Sequence, residues 1–153
     1  MSARYNAPLR YPGGKQKLTP FVIEVLEKND MVGGEYAEPY ACGAGVALEL
    51  LLTKQVRKIH LNDSALPIYA FWRSVLRETD ALNAKIAPAS MTVEESRKRQ
   101  DIVRNPKGHI LLEIGYSAFS PEPLQPLRRT VRWCNWRHQS KRKLEDGCAL
   151  FPE

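Results

Sequence analysis

A glycine-containing turn with an acidic residue on either side is the part of this 153-residue sequence best suited to chemistry. The turn is Cys42-Gly43-Ala44-Gly45, preceded by Glu38 and followed by Asp63, which lies 20 residues after Gly43. Glycines between a strand and a helix let the backbone approach a ligand closely, and the helix N-terminus presents unpaired N–H groups to it. An acidic residue about 20 positions later suits a contact with ribose hydroxyls. The spacing therefore predicts a nucleoside-cofactor site, with a plain tight turn as the alternative.

Glu38 narrows the choice of cofactor. A carboxylate at the end of a strand repels a pyrophosphate, but it is well placed for the cationic amino group of a methionine moiety. S-adenosylmethionine carries that ammonium group and a sulfonium, and it has no phosphate. The glycines also lack the GxGxxG spacing of dinucleotide sites. The residues therefore favour S-adenosylmethionine over a nicotinamide dinucleotide, and a nicotinamide-binding oxidoreductase stays as an alternative.

The elements that must position these residues follow a strand–helix–strand order. Residues 35–40 and 57–63 have the composition of strands, and the apolar run 46–52 between them predicts a helix. Such a βαβ unit implies a parallel sheet with a right-handed crossover. Before it, Thr19 and Pro20 predict the start of a helix with Phe21, Val22, Val25 and Leu26 on one buried face.

Helices are also predicted after the second strand. They cover residues 65–76, two segments on either side of Pro88 within 79–105, and residues 110–119. Thr92 and Glu95 have the spacing of a capping box at the start of the second of these segments.

Three motifs in this order resemble one known family. They are LRYPGGK at 9–15, EPYACGAGVAL at 38–48 and HLND at 60–63, the last followed by a helix that contains Phe71-Trp72. Together they resemble the Dam-type DNA adenine-N6 methyltransferases. The resemblance implies the fold class, an α/β Rossmann-like S-adenosylmethionine-dependent methyltransferase sheet, and methyl transfer to N6 of adenine in double-stranded DNA. It also implies a cytoplasmic protein of a bacterium or phage that serves restriction protection or replication marking.

The resemblance assigns roles to residues of this chain. Tyr11 and Lys15 are expected to line the methionine end or the adenine of the cofactor, and Asp63 to hold the ribose. The full set of expected cofactor-binding residues is Tyr11, Lys15, Glu38, Pro39, Tyr40, Gly43, Gly45 and Asp63. The alternatives are a core aromatic for Tyr11, a solvated charge for Lys15 and a helix N-cap for Asp63. The family usually has glycine where this chain has Cys42, and a β-carbon there is expected to crowd the cofactor or to require a backbone angle that favours glycine.

The family's catalytic tetrapeptide, [DNS]PP[YFW], does not occur in the sequence. In the family its polar side chain and backbone carbonyl accept hydrogen bonds from the target amino group, and its aromatic ring stacks on the flipped base. Without it the adenine nitrogen is not held for in-line attack on the methyl group. We therefore expect no catalytic residue in this chain, and at most weak cofactor binding without methyl transfer.

The sequence changes character near position 120. Residues 121–153 hold 7 basic and 4 acidic residues and two of the three tryptophans, and they show no helical or strand period. Codons permitted for residues 121–151 can also be read in the frame that starts one nucleotide later. In that frame they can encode RNRCNRSG, VLSGGVIGG and INQKGNWKMDARFS, which resemble the family's recognition segment. The codons of Trp133 and Trp136 are unique, and each gives glycine in that frame. We therefore expect residues 1–119 to be a partial cofactor-binding domain with an incomplete sheet, and residues 120–153 to be an irregular, out-of-frame or disordered basic tail.

The charge and cysteine content of the chain limit which other classes of function fit the sequence. A net charge of +6 and a pI near 9.3 favour an anionic partner such as nucleic acid. Three cysteines without CxxC spacing favour free thiols over disulfides or a zinc site, and no apolar stretch reaches the ~20 residues that a bilayer span needs. A small non-catalytic DNA-binding protein stays as an alternative. Its phosphate contacts would come from Arg128, Arg129, Arg132, Arg137, Lys141, Arg142 and Lys143, with Trp133 and Trp136 stacking on bases.

Overall fold

The structure, a computed structural model, describes residues 7–9, 14–89, 92–119 and 148–150, the last three by their backbone. These residues fall into two compact units, which are described separately. The first contains the described residues up to Asp63 together with 148–150, and the second begins at Ser64.

The first unit contains a parallel sheet. Its strands are β1 (Glu35–Glu38), β2 (Lys58–Leu61) and β3 (Cys148–Leu150), in the order β1-β2-β3. In the β1–β2 register Glu38 lies opposite Leu61. The helix α2 (Gly45–Leu52) connects β1 to β2 along the chain. The predicted strand–helix–strand order and the parallel pairing are therefore confirmed, with both strands shorter than the sequence indicated.

The third strand differs from the sequence expectation. The tail was expected to be irregular, yet Ile59 to Leu61 of β2 pair in parallel with Cys148–Leu150. The physical reason is that a parallel strand whose outer edge is open offers unpaired N–H and C=O groups, which an extended apolar tripeptide can satisfy. The rest of the expectation for the tail lies outside the described residues.

Helix α2 is the main apolar element of the first unit. It is apolar on nearly every side, and Val46, Ala47, Leu48 and Leu50 are all buried. A helix buried around its whole circumference reads as a continuous apolar run, which explains why its sequence lacks a polar face. Because α2 packs on β1 and β2, it fixes the turn that precedes it against the ends of those strands.

The N-terminal helix corrects one prediction. A 3-10 turn over Lys15–Leu18 leads into α1 (Thr19–Lys28), which has Pro20 in its first turn. Of the predicted buried face, Leu26 is buried, but Phe21 and Val25 are exposed at 64% and 41%. The prediction that these two side chains are buried was wrong because spacing defines an apolar face and does not supply an element to cover it.

The second unit is helical. It consists of α3 (Leu66–Arg77), α4 (Thr79–Ile86), α5 (Val93–Arg104) and α6 (Leu111–Ala118), which confirms the predicted helices. Thr92 is the N-cap of α5, since the Glu95 N–H donates to Thr92 Oγ1 at 3.2 Å, which is one of the two hydrogen bonds of the predicted capping box. Within this unit α3 and α6 pack closely at Gly115, where an added β-carbon would lie 2.6 Å from the carbonyl oxygen of Ala70.

Replacing Gly115 with alanine tests this close packing. Alanine in a helix interior is favoured over glycine by up to ~1 kcal/mol, but here its β-carbon would meet backbone that cannot move aside cheaply. We expect Gly115→Ala to lower the free energy of unfolding by at least ~1 kcal/mol in urea titrations. The control on the same helix is Ser117→Ala, which removes a buried hydroxyl with no described partner and is expected to be neutral or stabilising. A more stable Gly115→Ala variant would contradict the packing.

Candidate functional site

The carboxyl ends of β1 and β2 are joined by backbone hydrogen bonds that continue past the strands. The Asn62 N–H donates to the Glu38 carbonyl oxygen at 3.1 Å, and the Ala41 N–H donates to the Asn62 carbonyl oxygen at 2.8 Å. Ligands of parallel α/β sheets bind beyond the carboxyl ends of the strands. These bonds therefore fix the segment from Glu38 to Ala41 beside the segment that leads to Asp63, at the edge where a ligand is expected.

Glu38 is a buried carboxylate at this edge. The residue is 3% exposed, and Lys15 Nζ lies 2.7 Å from its Oε1. Oε1 has no hydrogen-bond partner among the described residues, so this contact is an ion pair. Oε2 is buried as well and has no hydrogen-bond partner among the described residues. Since an uncompensated buried charge costs several kcal/mol, the Lys15 ammonium is what makes this carboxylate tolerable.

Lys15 reaches the site from the 3-10 turn that precedes α1. Its ammonium also donates to the carbonyl oxygen of Tyr40 at 2.6 Å, and its side chain is 38% exposed. An ammonium group has three N–H bonds, and the hydrogen bond to Tyr40 uses one of them. The Lys15 side chain therefore covers the end of β1 and remains partly exposed to solvent.

Asp63 holds the glycine turn in place. Its Oδ2 accepts a hydrogen bond from the Cys42 N–H at 2.9 Å. The turn itself is tight, with the Ala44 N–H donating to the Ala41 carbonyl oxygen at 2.6 Å, and both Cys42 and Ala44 have φ near +49°. The alternative of a helix N-cap does not describe Asp63, because α3 begins at Leu66 with Ala65 at its N-cap.

The chain's own packing requires glycine at position 43 and leaves little room for a side chain at Gly45. A β-carbon at Gly43 would lie 2.6 Å from the Leu9 carbonyl oxygen, and one at Gly45 would lie 3.0 Å from Gln16 Cβ. Both glycines therefore let the N-terminal segment approach the turn. Sequence reasoning attributed them to the approach of a ligand and did not detect this second role, because the contact joins residues more than 25 positions apart.

The structure brings together most of the residues singled out from the sequence. Lys15, Glu38, Tyr40 and Asp63 lie around the turn, and Pro39 and Tyr40 are exposed. Tyr11 lies outside the described residues. The pairing of Lys15 with Glu38 was missed, and the only sequence signal for it was the opposite charge of two residues at the ends of separate motifs.

Cys42 is suited to packing rather than to nucleophilic chemistry. Burial, followed by the neighbouring Asp63 carboxylate, raises the pKa of the Cys42 thiol. The thiolate is the reactive form, so a raised pKa leaves the group protonated at neutral pH. Of the two expectations for a β-carbon at this position, the backbone angle is realised, since φ is 49° where glycine is favoured.

The described part of the chain contains neither a metal-binding cluster nor a helix that could span a membrane. It holds no group of three or more His, Cys, Asp or Glu side chains arranged to bind a metal ion. None of its helices combines the length and the apolar character needed to cross a bilayer.

Comparison with known proteins identifies a family. The model of the D12 class N6 adenine-specific DNA methyltransferases matches residues 11–104, more than half of the chain. The matched segment contains Lys15, Glu38 and Asp63, and it confirms the resemblance found from the motifs. No curated protein and no solved structure matches the chain.

Substitution of Cys42 tests the strain in the turn. A non-glycine residue at positive φ costs about 1–3 kcal/mol, partly offset by the greater freedom of glycine in the unfolded chain. We expect Cys42→Gly to raise the free energy of unfolding by about 1 kcal/mol. Cys42→Ala keeps the β-carbon and is the matched control, expected to stay within about 0.5 kcal/mol of the native chain. Equal stability of the glycine and alanine variants would show that the angle at this position is not strained.

Proposed function

We propose that this chain, which belongs to the family of D12 class N6 adenine-specific DNA methyltransferases, binds S-adenosylmethionine at the carboxyl ends of β1 and β2. The observation that carries the proposal is the buried Glu38 carboxylate, with Lys15 on Oε1 and no described hydrogen-bond partner on Oε2. The cofactor supplies the sulfonium methyl group, and the family's acceptor is N6 of adenine in DNA.

The pair Glu38 and Lys15 has the polarity of an α-amino acid receptor. Glu38 Oε2 offers an acceptor for an ammonium group, while the ammonium of Lys15 has N–H bonds beyond the one that it donates to Tyr40. The methionine end of the cofactor carries an ammonium and a carboxylate on one carbon. The ligand's ammonium would donate to Glu38 Oε2, and its carboxylate would accept from the Lys15 ammonium. Both charges of the ligand are then matched by opposite charges on the protein.

The remaining expected residues surround this pair. Asp63, already fixed by the Cys42 N–H, is proposed to accept a hydrogen bond from the ribose. The loop from Glu38 to Gly45 is proposed to border the nucleoside. The complete proposed set is Tyr11, Lys15, Glu38, Pro39, Tyr40, Gly43, Gly45 and Asp63, on a Rossmann-like sheet within a partial domain of residues 1–119.

A nicotinamide dinucleotide fits this site less well. Its pyrophosphate would lie at the turn, beside a carboxylate that is buried and therefore weakly screened. Like charges in such a setting repel strongly. The observation that favours S-adenosylmethionine thus also disfavours the oxidoreductase.

We propose further that this chain by itself does not transfer the methyl group. Its 153 residues contain no [DNS]PP[YFW] tetrapeptide to hold the adenine amino group. The unperiodic sequence after residue 120 is proposed to be out of frame, and the nucleotide sequence across codons 115–125 and beyond decides this. Stop codons throughout the shifted frame would contradict it.

Calorimetric titration with S-adenosylhomocysteine, the demethylated product, tests the binding proposal. It has the same amino-acid end as the cofactor, so loss of the Glu38 charge removes a charge-assisted hydrogen bond worth about 1.5–3 kcal/mol. We expect Glu38→Gln to weaken binding about ten- to a hundredfold.

Glu35→Gln is the matched control for this titration. It is the same substitution on the same strand, and Glu35 instead contacts Arg57 and His60. Folding of each variant is checked by circular dichroism. Binding that is unchanged in Glu38→Gln, or equally weakened in both variants, would contradict the proposed site.

A tritiated-methyl assay tests the absence of turnover. The chain is incubated with labelled S-adenosylmethionine and adenine-containing duplex DNA, and incorporation is compared with a blank lacking protein. We expect no incorporation above the blank, because nothing in the sequence positions the adenine amino group. Repeated turnover that disappears in Glu38→Gln would refute this part of the proposal while supporting the cofactor site.

A further inference from the structure

The N-terminal helix α1 carries an apolar stripe that is exposed. Leu18 at its N-cap, Phe21 and Val25 follow one another at helical spacing and are exposed at 52%, 64% and 41%. Another side of the same helix is anchored, because Thr19 and Leu26 are buried and α1 packs on α2. The stripe is therefore presented to solvent in a fixed orientation, as a surface that a partner could cover.

Charged side chains of both signs flank the stripe on one side. By the periodicity of a helix, Lys17, Glu24 and Lys28 lie within about 40° of one another and next to Phe21. Lys17 is exposed and forms no ion pair with another described residue. In Glu24, Oε1 pairs with Lys28 at 2.6 Å, and the side chain remains 58% exposed. One flank of the stripe therefore offers an unpaired cation and a carboxylate with a second oxygen.

The order of these residues is self-complementary about Phe21. Along the helix axis, Leu18 lies about 4.5 Å before Phe21 and Val25 lies about 6 Å after it. Lys17 and Glu24 lie about 6 Å before and about 4.5 Å after the same point. A second α1, placed antiparallel with a twofold axis at Phe21, would therefore bring apolar residues opposite apolar residues and each lysine opposite a glutamate.

We propose that a second copy of this chain covers the stripe, through an antiparallel contact between the two α1 helices centred on Phe21. Leu18 packs on Val25 of the partner subunit, and Lys17 pairs with Glu24 of the partner subunit. The same surface is used on both copies, as a closed twofold dimer requires. A parallel pair would place the charged flank of one helix against the other flank of its partner and leave these charges unpaired. The contact uses none of the proposed cofactor-binding residues and goes beyond the proposed function.

The size of the stripe sets the expected strength of the dimer. Three apolar side chains per copy cover less than the ~800 Å² per partner that is typical of stable complexes. An exposed ion pair adds little affinity, so the apolar contact supplies most of the binding energy and the charges set the direction of the helices. We therefore expect a reversible dimer with a Kd of about 10–100 µM.

Sedimentation velocity of the full chain, over about 2 to 500 µM, tests the apolar contact. We expect the average mass to rise with concentration from 17.4 kDa toward twice that value. Phe21→Ser is expected to raise the Kd of the dimer at least about tenfold, because the contact loses its central side chain on both copies. Ile110→Ser is the matched control, since Ile110 is 62% exposed and lies outside α1. Folding of each variant is checked by circular dichroism.

Charge reversal tests the antiparallel direction. Lys17→Glu and Glu24→Lys each place like charges opposite each other twice in the dimer, so each is expected to raise the Kd about tenfold. An equimolar mixture of the two variants is expected to recover the native Kd, because both contacts of the mixed dimer then join opposite charges. Glu27→Lys makes the same charge change on the side of α1 away from the stripe and is expected to leave the Kd unchanged.

Several results would overturn the proposal. A chain that stays monomeric at every concentration would do so, and a lower melting temperature of Phe21→Ser would then show that another segment of the same chain covers the stripe. A dimer that Phe21→Ser leaves intact, or that Ile110→Ser weakens equally, would have its interface elsewhere. A mixture of Lys17→Glu and Glu24→Lys that dimerises no better than either variant alone would contradict the antiparallel contact.

Discussion

The buried carboxylate of Glu38 is the constraint on which the site depends. A carboxylate that is 3% exposed has lost most of its hydration, and the fold restores only part of that loss through the Lys15 ammonium at Oε1. Replacing the pair by apolar residues is often neutral or stabilising for a protein, so the presence of a buried charge points to a use other than stability. At the carboxyl end of a parallel strand, the use that we propose is the recognition of a cation.

The turn Cys42–Gly45, which follows Glu38 in the chain, depends on the close approach of the N-terminal segment. Asp63 binds the Cys42 N–H and holds the turn against the end of β2, while Gly43 lets the N-terminal segment pass within contact of the backbone. Because this segment lies close to the turn, the Lys15 ammonium lies beside the Glu38 carboxylate. The glycines, the positive φ at Cys42 and the ion pair are therefore parts of one arrangement, in which the chain folds back over the strand ends.

Much of this could be predicted from the sequence, because the signals were local. The two parallel strands, the apolar run of α2 and the start of α5 at Thr92 all follow from residue type and spacing, although both strands end two residues earlier than predicted. The exposure of Phe21 could not be predicted, since its periodicity defines a face but not what covers it. Nor could the Lys15–Glu38 pair or the strand β3, because each joins segments far apart in sequence and depends on how the whole chain packs.

The sheet unit and the helical unit differ in where their described residues hold charge. In the sheet unit the buried Glu38 carboxylate is paired with Lys15, whereas α5 carries the exposed basic residues Arg97, Lys98 and Arg104. The central claim concerns the first of these. A crystal structure of the chain with S-adenosylhomocysteine tests it most directly: we predict the ligand ammonium about 2.7–2.9 Å from Glu38 Oε2, with Lys15 still on Oε1. An amino-acid end bound away from Glu38 would contradict the account.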